Sequence, residues 1–241
     1  MRKESAHPDY NERLTSQKDK QESFFHQTLT TPSVHQSGFN KGLFFFDMTY
    51  IEGTTYSMHL QYANIREASN SFTDLIKFIQ ANNELETTIA PKVFKKINDL
   101  KAKLNSDLEY YFSYCMDFDW DYIKESYCHG DLHFENILWD NRRLNVIDFL
   151  DSFCNAQCID ISRLLLDLVF FWSYRNSQSQ PPFVKYIYLY NQLKENFSPL
   201  KIEAATRMLC LGIMRIFPYC SSKKEMTENL NRLKYMKEFM I

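Results

Sequence analysis

The chain has 241 residues, of which 44% are hydrophobic and 24% charged, the proportions of an ordinary globular protein. Lys and Arg number 28 against 30 Asp and Glu, a near-balance that excludes a protein relying mainly on neutralising nucleic-acid phosphates. The start MRKESAHPDY has no apolar segment behind it, and the most apolar run, Leu164–Trp172, is interrupted by Asp167, so neither a secretory leader nor a membrane span is expected.

In chain order, Asp9 with Glu12 three positions on resembles a capping box and predicts a mostly polar helix carrying Leu14, Gln21, Phe24 and Phe25, stopped at Thr31-Pro32. Lys41–Ile51 (KGLFFFDMTYI) is rich in aromatic and β-prone residues and predicts a strand ending at Glu52-Gly53. Beyond that point the period is helical. Ser71 is placed as a cap before the stripe Phe72, Leu75, Ile76 and Ile79. Pro91 opens a long stripe running from Val93 to Phe112, and further helices are expected near 160–174, 183–196, 199–216 and 222–239. Residues 127–153 have no helical period. The organisation expected is residues 1–53 as a small strand-containing piece and 54–241 as a mainly helical body interrupted by one β element.

That β element carries the chemistry. It reads Cys128-His129-Gly130-Asp131-Leu132-His133-Phe134-Glu135-Asn136, then two short apolar runs, Ile137–Trp139 and Leu144–Phe149, around the turn-like Asp140–Arg143. A hairpin turning between Asn141 and Arg142 sets Asn136 opposite Ile147, next to Asp148. Asp131 arrives at the same open end from the preceding loop. Converging oxygen-bearing side chains suit Mg²⁺, which commonly takes one or two protein groups and completes its shell with substrate phosphates.

His129-Gly130-Asp131-Leu132…Asn136 followed by Ile147-Asp148-Phe149 resembles the catalytic motif and metal-binding aspartate of aminoglycoside and choline kinase-like phosphotransferases, relatives of protein kinases. The resemblance implies an α+β, protein kinase-like fold with a truncated small amino-terminal lobe and a mainly helical carboxy-terminal lobe. It implies Asp131 as the catalytic aspartate, with His129 counted beside it as support for the loop, and Asn136 and Asp148 holding Mg²⁺ on the phosphates of ATP. Met48-Thr49-Tyr50-Ile51-Glu52-Gly53 resembles the hinge between lobes. Met48, Thr49, Ile51 and Ile147 are then the residues expected to meet the nucleotide. Lys3 is matched to the strand lysine that contacts phosphate, partnered by Gln17 or Glu22 of the next helix, and Asp160 is matched to a structural position. The activity implied is Mg-ATP-dependent phosphoryl transfer to a hydroxyl of a small molecule, such as a sugar, amino alcohol or glycan precursor, by a cytoplasmic monomer or homodimer.

The two strands and Gly-rich loop that precede the lysine in that family have no counterpart here. The chain has only five glycines where about 7% would give roughly 17. Either the chain is part of a longer enzyme or it is a reduced kinase fold, and a non-catalytic kinase-like binding or regulatory module is the competing expectation. Other clusters read more plainly. Cys128, His129, His133, Cys154 and Cys158 lack zinc-ligand spacing and are expected as packed residues or free thiols. Asp117, Asp119, Trp120 and Asp121 fit a helix start with one packed tryptophan. Asp151 fits a turn cap, and the basic residues of 223–237 form the wet side of a helix.

Overall fold

In the computed structural model, which describes residues 1–104, 106–150 and 152–240, the chain opens on a short strand, β1 (Arg2–Glu4), and a helix, α1 (Asn11–Glu22). Pro8, Asp9 and Tyr10 form a one-turn lead-in, so the helix starts slightly later than the Asp9 cap predicts. Asn11 ties that start to the neighbouring sheet: its Nδ2 donates to Gly42 O (2.9 Å) and its Oδ1 accepts from Phe44 N (2.8 Å). A two-residue strand, β2 (Leu29–Thr30), precedes the hairpin of β3 (Val34–Asn40) and β4 (Leu43–Met48), turned by Lys41 and Gly42 at positive φ. The strand expected over Lys41–Ile51 is therefore β4 alone, trimmed at both ends. β4 runs between β1 and β3, antiparallel to both. Its alternate residues Phe44, Phe46 and Met48 meet Leu14 of α1 in a small separate core.

The larger body begins with β5 (Thr54–Thr55), α2 (Tyr56–Tyr62) and α3 (Ile65–Ala81). Here the expectation is corrected: α3 starts at Asn64, whose Oδ1 accepts from Arg66 N and Glu67 N while Glu67 accepts from Asn64 N, a complete capping box. Ser71 lies inside the helix and donates to Glu67 O. The first turn and a half is polar apart from Ile65 and Ala68, so the apolar stripe begins well after the helix does. After β6 (Glu84–Thr88), the single long stripe expected from Pro91 divides into α4 (Ala90–Lys101) and α5 (Glu109–Met116). Leu108 is buried between them, so apolar spacing persists through residues that are not α-helical. Next come β7 (Lys124–Ser126), paired with β6, then β8 (Ile137–Trp139), β9 (Leu144–Val146) and the helices α6 (Gln157–Phe170), α7 (Phe183–Asn196), α8 (Pro199–Met214) and α9 (Lys223–Phe239).

One seam crosses the expected boundary at residue 53. Strand β2 does not join β1, β3 and β4 but pairs parallel with β9, giving the sheet order β2-β9-β8-β5. Leu29 belongs to the large core together with Phe72, Ile137 and Leu144. Among the described residues no helix is long and apolar enough to cross a membrane.

Candidate active site

Strands β8 and β9 pair Ile137 with Val146, Leu138 with Asn145 and Trp139 with Leu144, the register set by a turn between Asn141 and Arg142. Just beyond the paired ends, Ile147 N donates to Asn136 O at 3.0 Å. Asn136 and Asp148 therefore reach the same open end of the hairpin, as its length and turn require.

The loop that delivers Asp131 is fastened by its own backbone. His129 is fully buried; its Nε2 lies 2.8 Å from Ile147 O and its Nδ1 accepts from Asp131 N at 3.2 Å. Nε2 therefore carries the proton, both ring nitrogens are engaged, and burial lowers the imidazole pKa to about 4. No nitrogen is left for a reacting group, which makes His129 a positioning residue rather than a member of the catalytic set. Gly130 follows at φ +91°, and a Cβ there would stand 2.5 Å from Leu150 O. Only glycine fits that approach. Asp160 of α6 accepts from His129 N (2.7 Å) and Gly130 N (2.8 Å), and Asp167 of the same helix accepts from Phe134 N (2.6 Å) and Ser173 N (2.7 Å). Burial raises the Asp160 pKa to about 6 even against those two hydrogen bonds, and burial raises Asp167 likewise.

Asp131 itself is poised among donors. Asn136 Nδ2 donates to its backbone carbonyl (2.9 Å) and to Oδ2 (3.2 Å), His133 Nε2 stands 3.5 Å from Oδ2, and Arg163 Nε stands 3.2 Å from Oδ1. Burial pushes its pKa up, but His133 and the Arg163 charge outweigh that and hold the carboxyl at about 2. Because Nδ2 of Asn136 is committed to Asp131, its carbonyl oxygen is the atom left for a cation.

Asp148 is in the left-handed region at φ +60°, with its carboxylate half exposed, and its Oδ1 lies 3.1 Å from Lys3 Nζ. Lys3 also donates to Gln17 Oε1 at 3.1 Å, so of the two partners named for it, Gln17 is the one in contact. Among the described residues no three His, Cys, Asp or Glu side chains cluster as a ready metal site. Asn136 and Asp148 alone are nonetheless the kind of sparse oxygen set that fits Mg²⁺ when phosphates supply further ligands.

The hinge expectations need correction. Met48 N–H donates to Met1 O (2.8 Å), Met48 O accepts from the Met1 amino group (2.7 Å), and the Met48 side chain is in the small core. Thr49 N–H donates to Ser33 O at 2.9 Å. These groups are sheet-edge pairings and are spent, which leaves Thr49 C=O and the Ile51 backbone as the open part of the segment. Ile147 keeps its half-buried side chain, while its N–H and C=O serve Asn136 and His129.

Asp167 and Arg163 were not singled out from the sequence. Their signal is present in CIDISRLLLDL: Asp160, Arg163 and Asp167 recur at helical spacing on one face of an otherwise apolar helix. Elsewhere, Trp120 is fully buried and donates to Cys115 O, and Asp119 accepts from Asp121 N. Cys128, Cys154 and Cys158 are buried free thiols whose pKa values burial raises, that of Cys154 to about 12. Asp151 lies outside the described residues.

The model of the phosphotransferase enzyme family, APH, matches residues 24–196, a span containing Asp131, Asn136 and Asp148. The chain belongs to this family. Solved structures agree in fold, which is protein kinase-like. A thermostable mutant of the aminoglycoside phosphotransferase APH(4)-Ia, in ternary complex with ADP and hygromycin B, has a TM-score of 0.61 at 14% identity, covering 96% of this chain and 83% of that one. The streptomycin–ATP–APH(2'')-IIa ternary complex gives 0.56 at 16% identity, covering 93% and 79%. A candidate fructosamine-3-kinase from Haemophilus somnus 129PT gives 0.55 at 13% identity, covering 100% and 83%. No curated protein sequence is matched. By family the chain is thus a phosphotransferase.

Proposed function

We propose that the chain transfers the terminal phosphoryl group of ATP, with Mg²⁺, to a hydroxyl of a small molecule, residues 1–53 forming a partial lobe and hinge over the body of 54–241. What supports this most is the 3.1 Å contact of Lys3 with Asp148, which joins the first strand to the end of the catalytic hairpin. Lys3 would meet the phosphates, and Asn136 and Asp148 would hold Mg²⁺, which when bound neutralises phosphate charge. With a pKa of about 2, Asp131 is ionised at neutral pH and too weak a base to remove an alcohol proton early. Its role is to accept a hydrogen bond from the acceptor hydroxyl and aim its oxygen at phosphorus. As the new P–O bond forms and the bond to ADP breaks, the proton passes to Asp131 or onward to solvent. The free, mostly buried thiols suit a reducing compartment such as the cytoplasm.

The test is Mg-ATP binding by calorimetry, with Asp148→Ala beside the wild type. Binding that needs both Mg²⁺ and Asp148 is expected, and nucleotide at 100 times its Kd raises stability by about 2.7 kcal/mol. A second reading is a kinase-shaped binding module, in which the Lys3–Asp148 pair is a structural tie between the first strand and the hairpin. A folded chain that binds no Mg-ATP selects that module.

A further inference from the structure

The turn that follows α6 meets the start of α9 across a cavity of about 280 Å³, close to the lower end of the range for small-molecule pockets, about 300 Å³. Trp172, Arg175, Asn229 and Arg232 stand on its walls. Both guanidiniums lie over one ring: Arg175 is 4.4 Å from the Trp172 centroid and Arg232 is 5.3 Å from it. Each fork is held through a single nitrogen. Arg175 Nη1 donates to Glu135 Oε2 (2.7 Å) and to Trp172 O (2.8 Å), and Arg232 Nη1 donates to Asn229 Oδ1 (2.6 Å). Asn229 is itself buried, with Nδ2 3.4 Å from Cys220 Sγ. The Nε–Nη2 edge of each fork bonds no described residue. The carboxylates around the cavity are turned to donors of the protein: Glu135 to Arg175, Glu225 to Ser221 N (2.8 Å) and Glu228 to Lys224 (4.0 Å).

The cavity adjoins the loop of the motif aspartate. Glu135 Oε2 lies 3.8 Å from His133 Nδ1, and His133 Nε2 lies 3.5 Å from Asp131 Oδ2, so three side-chain contacts lead from Arg175 to Asp131. An indole face attracts a cation without neutralising it, and two cations gathered on one ring repel each other; an anion between the forks relieves both.

We infer that Arg175 and Arg232, with Trp172 as their common platform, form an anion-binding subsite beside Asp131, so that the hydroxyl compound phosphorylated here carries a phosphate or carboxylate group held by the two guanidiniums. This rests on the phosphotransferase reading. The planar donor edge of arginine matches either group in a bidentate way, which the compact ammonium of lysine does not.

The experiment measures binding of four matched probes by calorimetry: glucose 6-phosphate, gluconate, glucose and the cationic glucosamine. Proteins are the wild type, Arg175→Gln, Arg232→Gln, Arg232→Lys, Trp172→Phe and, as a control on the exposed face of α4, Lys95→Gln, each checked for cooperative melting. At least one anionic probe is expected to bind tenfold or more tightly than glucose, and the stronger of the two identifies the group recognised. Binding should change the indole emission of the wild type but not of Trp172→Phe, which places the ligand in this cavity. Arg175→Gln and Arg232→Gln should each remove most of the preference, Arg232→Lys should keep part of it, and Lys95→Gln should leave it intact. Arg175 also holds Glu135, so if Arg175→Gln fails to melt cooperatively the two Arg232 variants decide. Failure of both anionic probes to bind, equal binding of glucose, tighter binding of glucosamine, or a preference that survives Arg232→Gln overturns the subsite. Mg-ATP binding on the same preparations separates the two claims. Nucleotide binding without anion preference sinks the subsite alone, whereas anion preference without nucleotide binding sinks the phosphotransferase and keeps the anion site.

Discussion

The loop of His129 to Asn136 and the edge where Lys3 meets Asp148 lie at one end of the same hairpin, yet they are held very differently. In the loop, His129, Gly130 and Phe134 have their backbone N–H groups bonded to the buried carboxylates of Asp160 and Asp167, and the His129 ring is bonded at both nitrogens. At the edge, Lys3 and Asp148 meet as a partly exposed pair, with side-chain exposures of 31% and 50%. The first arrangement is complete without a ligand. The second leaves charge facing outward. Under the proposed function, the loop that would orient a hydroxyl is the rigid one, and the pair that would exchange its partner for phosphate and metal is the exposed one.

The contrast is broken if removing a buried anchor is cheap. Asp160→Ala leaves two buried N–H groups unpaired and a void, so urea denaturation should show a loss of about 4 kcal/mol. A loss under about 1 kcal/mol would mean that the loop is not fastened through α6. Next in size is a pH effect. His129 has a folded pKa near 4 against 6.5 free, so its contribution to stability is lost as pH falls from 6.5 toward 4, by about 3 kcal/mol. Asp160, raised from 3.8 to about 6, acts oppositely: its contribution is present at low pH and lost as pH rises through 6, again by about 3 kcal/mol. Between pH 4 and 6 the two slopes cancel in the wild type. His129→Gln should unmask Asp160 and make stability fall with rising pH, as thermal melts across that range would show; an unchanged profile contradicts the assignment. The smallest stability effect is expected at the open edge. Lys3→Ala should cost less than about 1 kcal/mol, as partly exposed pairs do, while weakening Mg-ATP binding at least tenfold. If the melting temperature falls steeply instead, the edge is structural and the contrast fails.

How far this was legible depends on where the information is carried. The hairpin register followed from a turn of Asp140–Arg143 between two apolar runs, because side-chain alternation and turn chemistry are both written in residue types. The helices from α6 onward were legible for the same reason. Strand β3 was not: VHQSGFN is mostly exposed, so no face imposes an alternation. The hinge pairings of Met48 and Thr49 were invisible because backbone groups bond without regard to side chain, and nothing in MTYIEG records that Met1 and Ser33 occupy them. Asp131, Asn136 and Asp148 stood out through their motif. Asp160 entered only as a structural match and Asp167 only as a break in an apolar run, although these two carboxylates keep the motif in place.

The placement of β2 sets a condition on how the protein can be divided. Leu29 and Thr30 pair with Leu144 and Asn145, and Phe24 and His26 before them pack on Phe78, while β3 after them belongs to the small sheet. Cutting the chain at residue 53 would strip a strand from the larger sheet, bare the edge of β9 and remove Leu29 from its core. The two parts are therefore laced rather than hinged like beads. During synthesis Leu29 must wait until Leu144 has been made before its sheet can close, so the site finishes late and as one unit.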